Sequence, residues 1–302
     1  MAAMGAGPLF VPVFLEACVE GPDSAVAAQE GGAARLELCA ASALTGGLTP
    51  SHGVIKAVRA SVSLPLNVLV RPRPGDFVYS QAELQSIQED LVAAKELGAD
   101  GVVLGLLTPQ GTVDEGRLLP LVSMCHTLQL GLTFHRAFDK CRDLPEALEA
   151  LVRCGVPCVL TSGGAPTAAE GCEAIARLVA QAAGRISVMA GGGVSEENVG
   201  ALVQGTGVAF VHASCSEPVQ PAGPEFNARV RFSSAGYERR AASAQRVAAI
   251  AAASRAGAMA PPPQAAPAQV APPLPPLAHL FSAGISPLGA AGAVPVSMPP
   301  YG

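Results

Sequence analysis

The chain has 302 residues, half of them apolar, no Trp, a mean hydropathy of +0.38 and a net charge of −5 with a pI near 5.6. That length buries a large core without cross-links, and the acidic balance argues against nucleic acid as a main partner. Eight scattered cysteines read as free thiols of a reducing, cytoplasmic setting; residues 1–12 lack the positive charge of a secretory signal, and no run approaches the roughly 18 apolar residues of a membrane helix.

Residues 1–10 are expected to be disordered. From residue 11 short apolar runs alternate with longer amphipathic ones, and turn residues mark the switches. The strand predicted over 11–18 ends in Glu16-x-Cys18 and, after a helix over 23–29 capped by Asp23, the strand over 35–39 ends in Glu37-x-Cys39. Residues two apart share a strand face, so each glutamate lies beside a cysteine. On parallel neighbours about 4.8 Å apart the two thiols also face each other. A helix over 52–60, capped by Ser51, leads to a strand over 66–70 and a loop carrying Arg71, Arg73 and Asp76. Helices over 81–97, 114–126 and 144–153 separate strands over 101–107, 130–135 and 158–161. The last two strands end in His135-Arg136, with Asp139 beyond, and in Thr161-Ser162. A helix over 167–183 precedes a strand over 186–189 with Gly191-Gly192-Gly193 at its end. A helix over 196–204, capped by Ser195, precedes a strand over 208–213 that carries His212. A loop over 217–234 leads to a last helix over 236–255, and residues 257–302, rich in Ala, Pro and Gly, read as a low-complexity, unstructured or polyproline-like tail.

Eight β-α units in roughly 250 residues predict a single-domain TIM (β/α)8 barrel over 11–256. Catalytic and binding residues of such barrels gather at the C-terminal strand ends, where this chain is unusually polar. Arg71, Arg73 and Arg136 there suit an anion funnel for carboxylate or phosphate, with Ser162 and the triple glycine alongside. The same arginines equally suit pairing with Asp76 and Asp139, and the glycines a tight turn. Glu16, Glu37, His135 and His212 are candidate acid/base groups; each histidine also reads as a satisfied interior side chain, and His212 as a third metal ligand. Cys18 and Cys39 suit a soft metal or a plain filling of the barrel interior. The adjacent glutamates raise the thiol pKa unless Arg35, Arg71 or Arg73 compensates. Cys125, His126, Cys154 and Cys158 fall at the opposite end and read as packing.

The segments GGAARLELCA, GGLTPSHGVIKAV, RPRPGDFVYS, LGADGVVLG, LTFHRAFD, VLTSGG and VMAGGGVSEENV resemble successive motifs of the CutC family of copper homeostasis proteins, over residues 11–215 with a weaker echo through Tyr237 and Arg246. The resemblance implies a TIM barrel, cytoplasmic and in animals also nuclear, assembled as a homo-oligomer (dimer or tetramer), with one Cu(I) per subunit on Cys18 and Cys39. Ala34 stands where an aspartate is usual and Pro74 where a glycine is usual, and beyond residue 215 the usual region with Arg-Asn and Met motifs is not recognisable. Two functions follow: a copper homeostasis protein, or a lyase-, isomerase- or hydrolase-like enzyme acting on a small carboxylate or phosphate metabolite. A third reading is an interaction scaffold using the Pro-rich tail. No nucleotide cofactor, nucleic acid or membrane partner is expected.

Overall fold

A computed structural model describes residues 12–220 and 239–259, with Gly223 and Arg229 between them. The expected disordered N-terminus and the tail from residue 260 onward lie outside the described residues. Eight parallel strands close into a barrel in chain order: β1 (Phe14–Val19), β2 (Arg35–Leu38), β3 (Leu66–Leu69), β4 (Gly101–Leu104), β5 (Gly131–Phe134), β6 (Cys158–Thr161), β7 (Ser187–Gly191) and β8 (Phe210–Ala213), with β8 hydrogen-bonded to β1. The TIM barrel read from the β-α alternation is therefore the fold. On β1 the two-residue period sends Leu15, Ala17 and Val19 into the main apolar core and leaves Glu16 and Cys18 on the other face.

Helices α1 (Pro22–Glu30), α2 (Ser42–Thr45), α3 (His52–Ser61), α4 (Gln81–Glu96), α5 (Glu115–Leu128), α6 (Leu144–Arg153), α7 (Cys172–Ala182), α8 (Val199–Thr206) and α9 (Ala244–Met259) follow the strands. Ser51 accepts from the Val54 N–H, Asp114 from Arg117 and Asp143 from Glu146, while Ser80 and Glu83 form a reciprocal capping box. Each such cap stabilises its helix by about 1 kcal/mol.

Several boundaries depart from the expectation. Helix α1 opens on Pro22, which needs no N–H partner, so Asp23 sits in the first turn rather than at the cap. Helix α7 starts at Cys172 because Gly171 packs onto the Ser162 carbonyl, which a Cβ would approach to 1.9 Å. Helix α8 starts at Val199, preceded by a turn in which Asn198 Oδ1 accepts from the Ser195 N–H. The largest difference lies after β8. Residues read as loop and helix pair instead as β9 (Ser216–Val219) and β10 (Arg239–Ala242), antiparallel. Arg-Arg-Ala-Ala has good helix propensity, but its backbone is taken by β9 and its Ala242 N–H by the Ser24 hydroxyl, a tertiary override. Helix α9 consequently begins at Ala244 and runs to Met259, past residue 257 where the tail was expected to begin. It packs against α1 and α8 through glycines: a Cβ on Gly31 would meet the Ala244 carbonyl at 2.5 Å, and one on Gly257 the Gly200 carbonyl at 2.4 Å. Among the described residues no helix is long and apolar enough to cross a membrane.

Candidate functional site

Inside the barrel the side chains form levels. On one, Arg35 Nε donates to Glu16 Oε2 at 2.5 Å and Asn67 Nδ2 donates to the same oxygen at 3.1 Å. The Arg35 guanidinium also lies 5.4 Å from the Phe210 ring centre. Burial pushes the Glu16 carboxyl up, against the pull of Arg35. Glu16 therefore does not reach the mouth as an acid/base group. Two residues before Cys18 on one strand face, it sits about 6.6 Å deeper, where an arginine and an amide hold it.

One level up, Cys18 Sγ lies 3.3 Å from Cys39 Sγ, so the thiols do face each other across β1 and β2. The parallel register sets Cys18 against Glu37 and Glu16 against His212. Glu37 Oε2 is 2.6 Å from His212 Nε2, and ligand atoms of Cys18, Glu37 and His212 all lie within 4.8 Å of one another. Burial alone raises the Glu37 pKa, but His212 and the hydrogen bond from Cys18 bring it below the ordinary carboxylate value. Burial likewise lowers that of His212, and Glu37 overrides it, so the imidazole titrates above its usual range. The two form an ion pair near neutrality. Cys18 is pushed well above the ordinary thiol range by its contact with Cys39, then by burial, then by Glu37. Gly191 leaves room for the imidazole: a Cβ there would stand 3.1 Å from His212 Cβ.

Across the mouth His135 accepts the Ala137 N–H on Nδ1 at 3.2 Å, which puts its proton on Nε2; that atom is buried with no partner among the described residues. Burial, reinforced by Arg71 and opposed by Glu37, lowers its pKa to about 4, so the ring is neutral. Gly105 makes space for it, since a Cβ would lie 2.4 Å from Nδ1. The sequence reading missed Gly105; its signal was a glycine at the end of β4, beside the strand that carries the histidine. Arg136 donates from Nε to Asp139 at 2.8 Å and from Nη2 to the Ser162 hydroxyl at 2.5 Å, with its guanidinium against Gly192, where φ is +104° and a Cβ would be 3.0 Å from Cζ. Asp139 also accepts from the Thr161 hydroxyl and the Ser162 and Gly164 N–H groups, tying the loop after β5 to the loop after β6.

The three expected arginines separate. Arg71 spends Nη1 on the Thr45 and Gly47 carbonyls and Nη2 on the Gly75 carbonyl, with its guanidinium 5.0 Å from the Phe77 ring centre. It is a strut between the loops after β2 and β3. Arg73 is engaged by Glu83, Asp76 and the Val78 carbonyl and does not line the cavity at the mouth. A cavity of about 590 Å³ brings together Cys18, Cys39, Glu37 and His212 on one side and Arg71, His135, Arg136, Gly192 and Gly193 on the other. Glu16, Arg73, Ser162 and Gly191 do not line it, whereas Arg239 and Arg240 of β10, absent from the sequence reading of the mouth, do.

The CutC family profile matches residues 13–217. A CutC family protein of Xanthomonas campestris is 49% identical over 205 residues, covering 68% of this chain and 84% of its own. The mouse copper homeostasis protein cutC homolog is 46% identical over 210 residues, covering 70% and 75%. Among solved structures, the CutC protein of Streptococcus agalactiae matches with a TM-score of 0.63 at 35% identity, covering 67% of this chain and 98% of that one.

Proposed function

The chain belongs to the CutC family, whose named members include copper homeostasis proteins, and from that membership we propose that it binds one Cu(I) ion at the barrel mouth through Cys18 and Cys39. The supporting observation is the pair of sulfurs 3.3 Å apart on adjacent strands, with the His212 imidazole and Glu37 carboxylate beside Cys18. Cu(I) is soft and prefers thiolates, so the donor set fits. Cys18 holds its proton tightly, and copper must displace it; binding weakens as pH falls. Glu37, which accepts the Cys18 thiol hydrogen bond, is oriented by His212.

Anaerobic Cu(I) titration against a competing chelator tests the reading. Replacing both cysteines by alanine lowers affinity more than about 100-fold, beyond the usual loss from altering an outer-shell group. Equal affinity in wild type and double variant would sink it.

A second reading, an enzyme acting on a small carboxylate or phosphate metabolite, is favoured by the cavity, whose roughly 590 Å³ far exceeds a bare ion. The family resemblance further supports a cytoplasmic, and in animal cells also nuclear, homo-oligomer, which fractionation and light scattering test. The Ala-, Pro- and Gly-rich composition after the last helix predicts protease trimming from the C-terminus without loss of the melting transition.

A further inference from the structure

The chain is acidic overall, yet among the described residues four arginines (Arg71, Arg136, Arg239, Arg240) against two glutamates (Glu20, Glu37) line the cavity. One of those glutamates is neutralised by His212 and the other is bonded to the Ser42 hydroxyl and N–H. A cationic pocket in an acidic protein concentrates anions.

The β5–β7 side of this pocket offers a set of donors without acceptors of their own among the described residues. His135, nine-tenths buried and lining the cavity, has its Nε2–H without a partner. Arg136 is fixed from behind through Nε and Nη2, while among the described residues nothing accepts from Nη1, which lies over Gly192. Neither the Gly193 nor the Val194 N–H has an acceptor among the described residues, and both residues line the cavity. Of these donors the His135 Nε2–H alone is sealed from solvent, where an unmet donor costs free energy, and the Arg136, Gly193 and Val194 groups stand toward solvent, so acceptor oxygens on a ligand match the whole set. The loop after the seventh strand is also where barrels of this class commonly seat phosphate on backbone N–H groups. The volume leaves room for several carbons beyond the anion.

We propose that this cavity binds a small phosphate monoester bearing a carbonyl or hydroxyl oxygen, with the phosphate between Arg136 and the Gly193–Val194 backbone and the second oxygen on the His135 Nε2–H. The assignment rests on the metabolite reading above and gives it a ligand class; it needs no copper. Arg136 supplies charge and direction, and the Asp139 anchor fixes its rotamer before the ligand arrives, which limits the entropy lost on binding. His135 distinguishes a phosphate ester with a nearby oxygen from phosphate itself.

The test is calorimetric titration of metal-free, full-length protein with dihydroxyacetone phosphate, inorganic phosphate and pyruvate. Dihydroxyacetone phosphate binds at least about tenfold more tightly than phosphate, the value of one well-placed extra hydrogen bond. Arg136→Met weakens both about 10- to 100-fold, and His135→Phe brings dihydroxyacetone phosphate down to the phosphate level without changing phosphate binding. Should His135→Phe not fold, imidazole NMR of the wild type, which has five histidines, supplies the same information: dihydroxyacetone phosphate moves the His135 Nε2–H signal and phosphate does not. Pyruvate binding without either phosphate compound overturns the phosphate assignment and leaves the metabolite reading standing. Binding of none of the three overturns the assignment and counts against that reading too. Equal affinity for phosphate and dihydroxyacetone phosphate, with an unmoved His135 signal, overturns the role of His135.

Discussion

On the β1–β2–β8 side of the mouth the charges answer one another: Glu37 faces His212, and the two thiols touch. On the β5–β6–β7 side Arg136 is gripped from behind by Asp139 and Ser162 while nothing among the described residues accepts from its Nη1, and the His135 Nε2–H is buried without a partner among them. The first arrangement is complete without a ligand and changes only when a proton or a soft cation displaces what is there. The second is preorganised and incomplete, which is the usual condition of a binding surface. Proximity in one barrel thus does not give one role to all polar residues at the strand ends; what decides is whether their partners come from the protein.

The largest way to break this contrast is to cut the anchor. Asp139→Ala leaves Arg136 Nε, the Thr161 hydroxyl and the Ser162 and Gly164 N–H groups without their acceptor and destabilises the barrel by about 4 kcal/mol, lowering the melting temperature by about 10 °C. A loss under about 1 kcal/mol in urea denaturation would mean that the grip is ornamental.

Next is acid. His135 is neutral in the fold with a pKa near 4, against 6.5 when unfolded, so between these values the unfolded chain binds more protons. Its contribution is intact above pH 6.5 and is lost as pH falls towards 4, by about 3 kcal/mol in all. His135→Gln flattens that limb; an unchanged stability–pH curve would contradict the assigned burial.

On the other side the signs differ. Glu37, lowered, stabilises above its unfolded pKa and loses this as pH falls through the folded one, while His212, raised, stabilises below its unfolded pKa and loses this as pH rises. The pair is worth most between the two. Glu37→Gln removes the main charge that opposes burial at His212 and leaves only the weaker pull of Glu16, so its NMR titration falls and stability drops by about 2 kcal/mol. A histidine still titrating high would name another counter-charge.

The smallest effect belongs to Arg73, whose partners lie in its own loop and at the start of α4. Arg73→Ala costs under about 1 kcal/mol and leaves every mouth property unchanged. Altered anion or copper binding in that variant would return Arg73 to the site.

Period-two strands, strict alternation with helices and the doubled Glu-x-Cys were legible in the sequence because each is a local pattern. The register then followed, and Cys18 met Cys39. What was not legible depended on rotamers and loop paths. Glu16 and Cys18 share a face, but only the depth of the barrel decides that one meets Arg35 and the other the cavity. Arg71 and Arg73 are two apart in one motif, yet one ends among the Thr45, Gly47 and Gly75 carbonyls and the other on the Glu83 and Asp76 carboxylates. Arg239 and Arg240 escaped notice since their strand exists only by pairing with β9 across a long connection.

The Glu37–His212 bond joins residues 175 positions apart, and β8 reaches its place only by docking against β1. A chain still leaving the ribosome has made both cysteines and Glu37 while His212 is unsynthesised. Its thiols can meet as soon as β1 and β2 pair, but the imidazole arrives only with the last barrel strand. The thiol half of the site is therefore built early and its charged half at ring closure, so the spectroscopic appearance of the imidazolium–carboxylate pair would serve as a clock for barrel closure.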